Sequence, residues 1–394
     1  MIALGIDAGP DGVRAALASD PTDIIHGRDL RQVWQEATRR AGRPQGAVLT
    51  APAGGMPGDR RSLLRAARNA DIDVFRVISA PAAAALEHAS RTGSSGTFAV
   101  LDLRRNAFDC SLVSVDASTA EKGSESGGLP RLSAAEAGPV ARSLSFATAR
   151  SDGSGAPQRA RRIEVLAGVG FADLGADAVD LAITEALQEE SGATHRDLST
   201  LRLHARRARE AMSDHFDTLV QVRLPGGAGL DRRLNRHQMS NFADRVRRRW
   251  MDACRRAIAE AESHPAWIDA VLVLDHGPML RRVVRRCFNR PPIVLGPDAP
   301  AAGAARYARI LAGDAEGPLI LERSTHGLAL EARDGTLTQL LPAGIPLPAS
   351  VACRSARGDR LVHFDWRGAQ VGVEALEFEI TRVFLDADGV VRAE

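Results

Sequence analysis

Residues 47–89 read AVLTAPAGGMPGDRRSLLRAARNADIDVFRVISAPAAAALEHA. The apolar run Ala47–Thr50 stops at Ala-Pro-Ala-Gly-Gly, which is the pattern of a buried strand that ends in a turn. Apolar residues then recur at helical spacing through 59–70, and Val74–Ile78 is a second strand. Pro81 stands where it opens an alanine-rich helix. The order strand, helix, strand, helix predicts an α/β fold with a parallel crossover.

The composition is that of an ordinary folded chain of two or three domains, with 394 residues, of which 44% are hydrophobic and 25% charged. A net charge of +2 gives no bulk attraction for nucleic acid. No apolar run reaches about 18 residues, so we expect no membrane span, and the start MIALGIDAG lacks the marks of a signal peptide. The cysteines form no zinc or redox motif, which favours the reduced cytoplasm. They are Cys110, Cys254, Cys287 and Cys353.

The stretch 47–89 resembles the central signature of the heat-shock protein 70 chaperones. The resemblance lies in LTAPA at 49–53, in the helix with two adjacent arginines, and in IDVFRVISAPAAAALEHA at 72–89. It implies a two-lobed actin-like ATPase fold, in which duplicated ribonuclease-H-like lobes hold ATP and Mg²⁺, followed by a β-sandwich that binds peptides. Further blocks in the family's order extend the resemblance over essentially the whole chain.

The first phosphate loop of that family is recognisable in GIDAG at 5–9. The resemblance implies that a carboxylate at Asp7 holds hydrated magnesium and that Gly9 lets backbone N–H groups approach phosphate. The hydroxyl-bearing pair that normally follows is replaced by Pro10 and Asp11. Proline lacks a backbone donor, and a second carboxylate repels phosphate. We therefore expect this loop to be degenerate.

Two catalytic positions of the family also differ here. The interval between Asp7 and Ala47 is too short for the upper subdomain of the first lobe, so the lysine that the family carries there has no counterpart. Ala80 stands where the family has a glutamate, and a methyl group cannot orient an attacking water. We expect a first lobe without its upper subdomain, with one helix over 22–40.

The second phosphate loop is recognisable in DLRRNAFD, where alternating strands on both sides predict a hairpin. Asp102 and Asp109 are retained, but Arg104 and Arg105 replace a diglycine of the family. Glycines let the backbone approach phosphates closely, whereas guanidinium groups need more space. One hypothesis is that one of these arginines lies between Asp7 and Asp102 and supplies the charge of magnesium or nucleotide. The alternative is a solvated arginine turn.

The remaining nucleotide contacts of the family fall on two later segments. The basic helix at 198–212 resembles the helix that stacks on adenine, and Arg209 and Ser213 hold two of its contact positions. A solvated arginine face is the alternative for this helix. Gly277 alone remains of a diglycine that contacts the nucleoside. We assign no catalytic residue and no metal ligand. The candidate cofactor site, which we expect to be vestigial, comprises Asp7, Gly9, Asp102, Arg104, Arg105, Arg209, Ser213 and Gly277.

The resemblance divides the chain into three parts. Residues 1–314 form the nucleotide-binding-type domain, and the Ser- and Gly-rich segment 117–160 is expected to be a mobile insertion. Residues 315–323 resemble the apolar linker between the family's domains. Residues 324–394 carry short alternating strands broken by turn residues, and they resemble a shortened β-sandwich that ends before any helical lid.

The degenerate loops favour the loss of ATP hydrolysis. Hydrolysis needs metal, water and phosphate contacts together, so we expect no cofactor and no enzyme activity. The favoured interpretation is a chaperone-like adaptor or scaffold with a dedicated protein or peptide partner. The alternative is an ATP-dependent chaperone that binds ATP or ADP with Mg²⁺ in an arginine-lined phosphate site. A sugar or acetate kinase of the same superfamily is disfavoured, because those enzymes lack the linker and the β-domain.

Overall fold

The computed structural model describes residues 2–9, 11–55, 58–116, 161–212, 215–224, 227, 229–274, 278–365 and 368–393. Some sequence predictions fall outside these ranges, namely the site residues Ser213 and Gly277 and the insertion at 117–160. Within these ranges, no helix combines the length and the apolar character that crossing a bilayer requires.

The first sheet and its helices comprise β1 (Ala3–Gly9), β2 (Gly12–Leu17), β3 (Ile24–Gly27), α1 (Leu30–Ala41), β4 (Gly46–Ala51), α2 (Asp59–Asn69), β5 (Val74–Ser79) and α3 (Ala80–Thr92). The strand order is β3-β2-β1-β4-β5. β1 pairs antiparallel with β2 and parallel with β4, and β4 pairs parallel with β5 across the connecting helix α2. The predicted strand-helix-strand-helix order with a parallel crossover is confirmed.

The single helix predicted over 22–40 is wrong in its first part. Residues 24–27 form β3, which pairs antiparallel with β2 at the edge of the sheet. Helix α1 begins only at Leu30, because the side chain of Asp29 accepts a hydrogen bond from the backbone N–H of Gln32 at 2.8 Å and caps the first turn. The apolar side of α1 packs into the core of the first sheet, as the sequence predicts.

The second part of the chain comprises β6 (Gly96–Leu103), β7 (Phe108–Val115), β8 (Arg162–Phe171), α4 (Ala176–Ser191), α5 (Leu198–Ala211), β9 (Asp217–Arg223), β10 (Gly229–Asn235), α6 (Arg236–Phe242), α7 (Asp244–Glu260), β11 (Ala270–Val273), α8 (Pro278–Phe288), β12 (Ile293–Val294), α9 (Ala299–Leu311) and β13 (Leu319–Leu321). Six of the strands form the second sheet in the order β12-β11-β6-β7-β8-β13. β6 and β7 are the predicted hairpin around the second loop.

The apolar stripe through 234–261 predicts a long helix pair, which starts too early at Leu234, and the sequence does not predict β10. Residues 229–235 pair antiparallel with β9 as a separate two-stranded sheet. The helix begins after Asn235, whose side chain accepts hydrogen bonds from the backbone N–H groups of His237 and Gln238. The Gln238 side chain accepts in return from the Asn235 N–H, which completes a capping box.

Two helices rich in small residues pack between the two sheets. Helices α3 and α9 belong to one core that also contains residues from both sheets. A Cβ atom at Gly303 of α9 would lie 1.8 Å from the carbonyl oxygen of Ala83 in α3. A Cβ atom at Gly5 of β1 would lie 2.0 Å from the backbone nitrogen of Ala305. Backbone-to-backbone contacts therefore fix the relative position of the two sheets.

The tail, residues 324–393, comprises β14 (Gly327–Glu331), β15 (Leu337–Leu341), β16 (Ala349–Ala352), β17 (Arg360–Phe364), β18 (Gln370–Ala375), β19 (Arg382–Leu385) and β20 (Val391–Ala393). It contains a four-stranded sheet, β15-β14-β17-β18, and a three-stranded sheet, β16-β19-β20. The two sheets share one apolar core. The sequence does not predict β18 and β20, and none of their residues is fully buried.

The segment predicted as a linker, 315–323, is part of the second sheet. Its strand β13 pairs in parallel with β8 at the sheet edge. Glu322 follows and is buried. Its carboxylate accepts hydrogen bonds from the N–H and the hydroxyl of Ser79 at 2.8 and 3.0 Å, and from Nη2 of Arg60 at 3.1 Å. Arg60 also donates to the carbonyl of Asp388 in the tail at 2.9 Å. A buried ion pair thus docks the tail on the first sheet.

We expect Glu322→Ala to lower the free energy of unfolding by about 3–5 kcal/mol, because it leaves Arg60 buried and charged without its carboxylate. Urea denaturation of the full chain measures this loss. Glu331→Ala is the matched control, since Glu331 pairs with the half-exposed Arg360 at 2.8 Å and its loss should cost less than about 1 kcal/mol. Equal losses for the two variants would contradict a buried docking pair.

Candidate functional site

The carboxyl ends of β1 and β6 bring two buried carboxylates together. Asp7 is 2% exposed and Asp102 is 5% exposed. The guanidinium of Arg104, which follows β6, lies between them. Its Nη2 donates to Oδ1 of Asp7 at 3.0 Å, and its Nε donates to Oδ2 of Asp102 at 2.8 Å. The hypothesis that an arginine stands between Asp7 and Asp102 is confirmed for Arg104.

Backbone hydrogen bonds hold the turn that carries Arg104. Its N–H donates to the carbonyl of Ala107 at 2.9 Å, and its own carbonyl accepts from the N–H of Ala176 at 3.0 Å. The carbonyl of Arg105 accepts from the N–H of Asp177 at 2.8 Å. The first residues of α4 thus use the turn as their hydrogen-bond partner, which satisfies backbone donors that a helix start leaves free. The turn is therefore anchored to α4.

Arg105 does not join the buried group. Its Nε donates to Oδ1 of Asp177 at 3.4 Å, and its side chain is 45% exposed. Asp177 also pairs with Arg202 of α5 at 3.6 Å. The alternative of a solvated arginine turn therefore describes Arg105, whereas Arg104 is only 9% exposed. Two adjacent arginines of the same turn have opposite environments.

The charges in the buried group depend on one another. Burial alone disfavours the charged form of Arg104, but the carboxylates of Asp102 and Asp7 outweigh burial and raise the pKa of Arg104 above its ordinary value. Burial also disfavours the charged form of Asp102, and it therefore raises the pKa of this carboxyl. The charge and hydrogen bond of Arg104 oppose that rise. Arg104 is thus a permanent internal cation at this place.

Thr50 is a site residue that the sequence predictions missed. Its hydroxyl donates a hydrogen bond to Oδ1 of Asp7, the same oxygen that Arg104 contacts. The two residues are opposite each other in the parallel pair β1–β4. A sequence signal existed, because Thr50 is the polar end of a strand predicted to be buried and neighbouring strands of a parallel sheet end at the same edge.

Asp109, which the sequence analysis recognised in the second phosphate loop but did not include in the candidate site, lies on β7 directly opposite Asp102. It is buried, its Oδ1 accepts from the backbone N–H of Gly54 at 2.8 Å, and its Oδ2 has no hydrogen-bond partner among the described residues. Burial raises the pKa of Asp109 to about 7, and the charge of Asp102 adds to the rise. A Cβ at Gly170 would lie 1.8 Å from Oδ1, so glycine is needed beside this carboxyl.

Little open space remains beside Arg104. A Cβ at Gly9 would lie 2.9 Å from Nη1 of Arg104, so this glycine accommodates the guanidinium. The cavity next to Asp7, Gly9 and Arg104 measures about 50 Å³. On this measure one water molecule needs about 10–15 Å³, whereas small-molecule sites usually measure about 300–1,000 Å³. In the part of the cleft that the structure describes, the volume suits water rather than a nucleotide.

Arg209 is paired separately, on the facing helices α4 and α5. Its Nε and Nη2 donate to the two oxygens of Asp180 at 2.5 and 3.3 Å. Asp180 is 1% exposed, and burial raises its pKa while the hydrogen bond and charge of Arg209 oppose that rise. The structure therefore groups Asp7, Gly9, Asp102 and Arg104, and gives Arg209 a carboxylate partner of its own.

The carboxylates as arranged do not fit a magnesium ion. Mg²⁺ requires oxygen ligands in near-octahedral geometry, whereas Arg104 takes the oxygens of Asp7 and Asp102 that would face an ion between them. Across the described ranges of the chain, no cluster of three or more His, Cys, Asp or Glu side chains is suited to a metal ion. We therefore derive no step through a metal.

Comparison with known families decides the identity of the chain. The family model described as Hsp70 protein matches residues 21–127 and 160–356, which is most of the chain. The chain belongs to the Hsp70 family. The resemblance stated from the sequence is thus confirmed, and the mixed α/β content with several sheets fits the actin-like ATPase fold of Hsp70 proteins. Within this Hsp70 chain, the turn that carries Arg104 and Arg105 is one of the places where the sequence differs from the motif that the resemblance implies.

Curated relatives of this Hsp70 chain include proteins named chaperone protein HscA homolog. Those of Acidithiobacillus ferrooxidans and Bordetella petrii are each 28% identical to it, over 79% and 78% of this chain and 45% and 44% of theirs. That of Chromobacterium violaceum is 27% identical over 78% of this chain and 44% of its own length. The matched part of this Hsp70 chain therefore spans less than half the length of these relatives.

Asp109 predicts a specific pH dependence of stability. Its pKa is about 7 in the folded protein against an ordinary 3.8, so between these values the folded state binds more protons than the unfolded state. Stability from this group is therefore lost as pH rises from about 4 to 7. Asp109→Asn, which is neutral at every pH, should raise the melting temperature more at pH 8 than at pH 5.

The control for this experiment is Asp71→Asn, because the Asp71 side chain is 90% exposed. Asparagine also tolerates the positive φ of 59° at that position. Differential scanning calorimetry at both pH values compares the two variants with the parent. A gain for Asp109→Asn that is the same at pH 5 and pH 8 would show that Asp109 is not protonated on folding.

Proposed function

We propose that this Hsp70-family protein is an adaptor or scaffold that binds a protein partner and neither binds nor hydrolyses ATP. The observation that carries the proposal is the position of Arg104, whose guanidinium pairs with Asp7 and Asp102 between the ends of β1 and β6. Arg104 thus supplies, from the chain itself, the positive charge that a metal ion would bring to these carboxylates.

A triphosphate would have to displace Arg104 before it could enter. Separating a buried charge from its partners costs about 3–5 kcal/mol. A cost of that size weakens binding by roughly 150- to 5,000-fold. Because the Arg104 side chain is only 9% exposed, a displaced guanidinium also leaves two buried carboxylates behind. In the competition between a triphosphate and Arg104 for this position, the ion pairs of Arg104 with Asp7 and Asp102 are therefore favoured.

The catalytic positions support the same conclusion. Ala80 is fully buried at the start of α3 and offers a methyl group where the resemblance implies a glutamate. The interval between Asp7 and Ala47 holds β2, β3 and α1, and the chain's one lysine, Lys122, lies elsewhere in the sequence. Phosphoryl transfer depends on such groups acting together with a metal. We infer that ATP turnover is absent.

The finer architecture is part of the proposal. We interpret residues 1–314 as two ribonuclease-H-like lobes, built on the two sheets, with the first lobe lacking its upper subdomain. The shared core of α3 and α9 supports this interpretation. We interpret 315–323 as the linker and 324–394 as a short β-sandwich without a lid. The two small sheets with one common core support it.

A cavity of about 620 Å³ between β8, the linker and the tail is the site we propose for a segment of the partner. Its volume is typical of binding sites, and its apolar lining includes Leu166, Leu328 and Leu337. β15 borders the cavity and carries an irregularity in its pairing with β14 at Leu328 and Ala329. Bulges of this kind discourage strand addition, so we expect partner side chains to insert into the cavity.

The relatives support the class of partner. They are named as chaperone proteins, which suggests that this chain also binds a protein. We further propose that the partner is dedicated and that the protein is cytoplasmic. The net charge of +2 gives no reason to expect nucleic acid as the main partner.

A second candidate function is an ATP-dependent chaperone in which arginine binds the phosphates. Asp7, Gly9 and Asp102 are retained, and Arg104 lies where rotation about its side-chain bonds would present it to a phosphate. ATP or ADP with Mg²⁺ would then be the cofactor. The two functions differ in one property, which is whether Mg-ATP stabilises the native protein.

We expect no thermal shift of the parent protein in about 1 mM Mg-ATP, because a ligand raises the melting temperature only when it binds the native state. Arg104→Gly restores a glycine and frees Asp7 and Asp102, so this variant should gain a magnesium-dependent shift. Arg105→Gly is the matched control and should gain none, since Arg105 is solvated. Differential scanning fluorimetry with ATP, Mg²⁺ and both together measures this.

A clear shift of the parent protein in Mg-ATP would favour the ATP-dependent chaperone. A shift of similar size in Arg104→Gly and Arg105→Gly would show that Arg104 is not the group that excludes the ligand. Phosphate release above background from the parent protein would rule out the adaptor as proposed.

A further inference from the structure

Helix α8 exposes four arginines along one face. Leu280, Val283, Val284 and Phe288 are buried and pack the opposite face into the core. The exposed arginines follow one another at i, i+1, i+4 and i+5, which places them on one stripe of the helix. This stripe, called here the α8 arginine face, consists of Arg281, Arg282, Arg285 and Arg286.

Several exposed arginines on other helices pair with carboxylates at helical spacing, whereas those of α8 form no such pair among the described residues. Such pairs are Arg39–Glu36, Arg40–Glu36, Arg206–Glu210, Arg255–Asp252 and Arg256–Glu260. The α8 sequence PMLRRVVRRCF contains no acidic residue. In the described part of the structure, no carboxylate forms a salt bridge with any arginine of the α8 arginine face. The charge of this face is therefore uncompensated.

The residues beside α8 add positive charge to the face. Arg282 donates to the hydroxyl of Ser240 at 2.8 Å, and the buried Arg247 donates to the same hydroxyl. Burial lowers the pKa of Arg247, and the charges of Arg282 and Arg286 lower it further against the opposing Asp244. Asp244 is already shared, since it pairs with both Arg247 and Arg248. The local potential is positive, although the net charge of the chain is only +2.

Stabilisation of the helix does not explain the α8 arginine face. Arg281 lies in the first turn, where the helix dipole disfavours a cation. The pairs Arg281–Arg285 and Arg282–Arg286 place like charges at i,i+4, which is unfavourable by about 0.2–0.5 kcal/mol for each pair. Arg285 and Arg286 lie in the last turn, where the dipole favours cations, but the dipole does not account for Arg281 or for the two like-charge pairs, so helix stabilisation does not explain the whole face.

We propose that the α8 arginine face binds an acidic segment of a partner protein, with its guanidinium groups paired to carboxylates. Arg281 and Arg285 are about 6 Å apart along the helix axis. Alternate residues of an extended chain are about 6.6 Å apart and point to the same side. A segment with an acidic residue at every second position therefore matches the spacing, and arginine pairs with carboxylates in a forked geometry.

A protein segment suits this face better than a nucleic acid. The exposed face of α8 carries no aromatic side chain on which a base could stack. The charge is confined to one helix about 16 Å long, whereas nucleic-acid binding is supported by broad basic surfaces. The inference does not depend on the nucleotide site, because α8 contributes none of the residues around Arg104 described above.

The test uses the full-length chain and a fluorescein-labelled twelve-residue peptide of alternating glutamate and serine. Fluorescence anisotropy at low and high salt measures binding, with the corresponding glutamine–serine peptide as the uncharged probe. We expect Arg281→Gln combined with Arg285→Gln to weaken binding about tenfold, since two ion pairs are lost. The matched control combines Arg39→Gln with Arg255→Gln, which removes the same charge from two exposed positions elsewhere.

Each outcome of this test either supports or contradicts the proposed binding of an acidic segment. Binding of the glutamate peptide that weakens with salt and is lost only in the α8 variant supports the proposal. Equal weakening of peptide binding in both variants would show that binding depends only on the net charge of the protein, which would contradict the proposal. Absence of peptide binding at low salt would also overturn the proposal. Tighter binding of a twenty-nucleotide single-stranded DNA that also depends on Arg281 and Arg285 would assign the face to nucleic acid instead. Unchanged melting temperatures confirm that the variants are folded.

Discussion

The pairing of one buried guanidinium with two buried carboxylates is the interaction on which the centre of this structure depends. Asp7 ends a strand of the first sheet, Asp102 ends a strand of the second, and Arg104 contacts both. Two carboxylates in a dry environment repel each other and need a cation. In this chain the guanidinium of Arg104 supplies that cation for both carboxylates.

A second buried ion pair lies where the tail meets the first sheet. Glu322 is buried, and Arg60 and Ser79 satisfy its oxygens. Breaking either ion pair leaves an uncompensated charge in a medium that solvates it poorly. The backbone contacts of α3 and α9 complete the arrangement, because they leave no room for the sheets to slide. Together these contacts fix the positions of the two sheets and the tail relative to one another.

Much of the fold could be predicted from the sequence. Strands of the two sheets that are buried on both sides carry continuous apolar runs, and helices such as α2 and α3 have clear periodicity or an opening proline. β3, β10, β18 and β20 could not be predicted with the same means, because they lie at edges or in exposed pairs and depend on neighbours distant in sequence. β13, within the segment expected to be the linker, is likewise a short strand at a sheet edge.

The candidate site was predictable in outline and not in detail. The two phosphate-loop motifs predicted Asp7, Asp102 and the replacement of a diglycine by two arginines. The local sequence, however, does not distinguish Arg104 from Arg105. Their different environments arise from the anchoring of the turn to α4, which the sequence does not reveal. Thr50 and Asp109 join the site through strand pairing, and register is a property of the sheet rather than of a loop motif.

The most direct measurement of the central claim is a crystal structure of the parent protein grown with an excess of Mg-ATP. The account predicts electron density for the Arg104 guanidinium between Asp7 and Asp102, with both hydrogen bonds intact and no nucleotide beside it. Density for a magnesium ion and a triphosphate between the ends of β1 and β6, with Arg104 turned away, would contradict it.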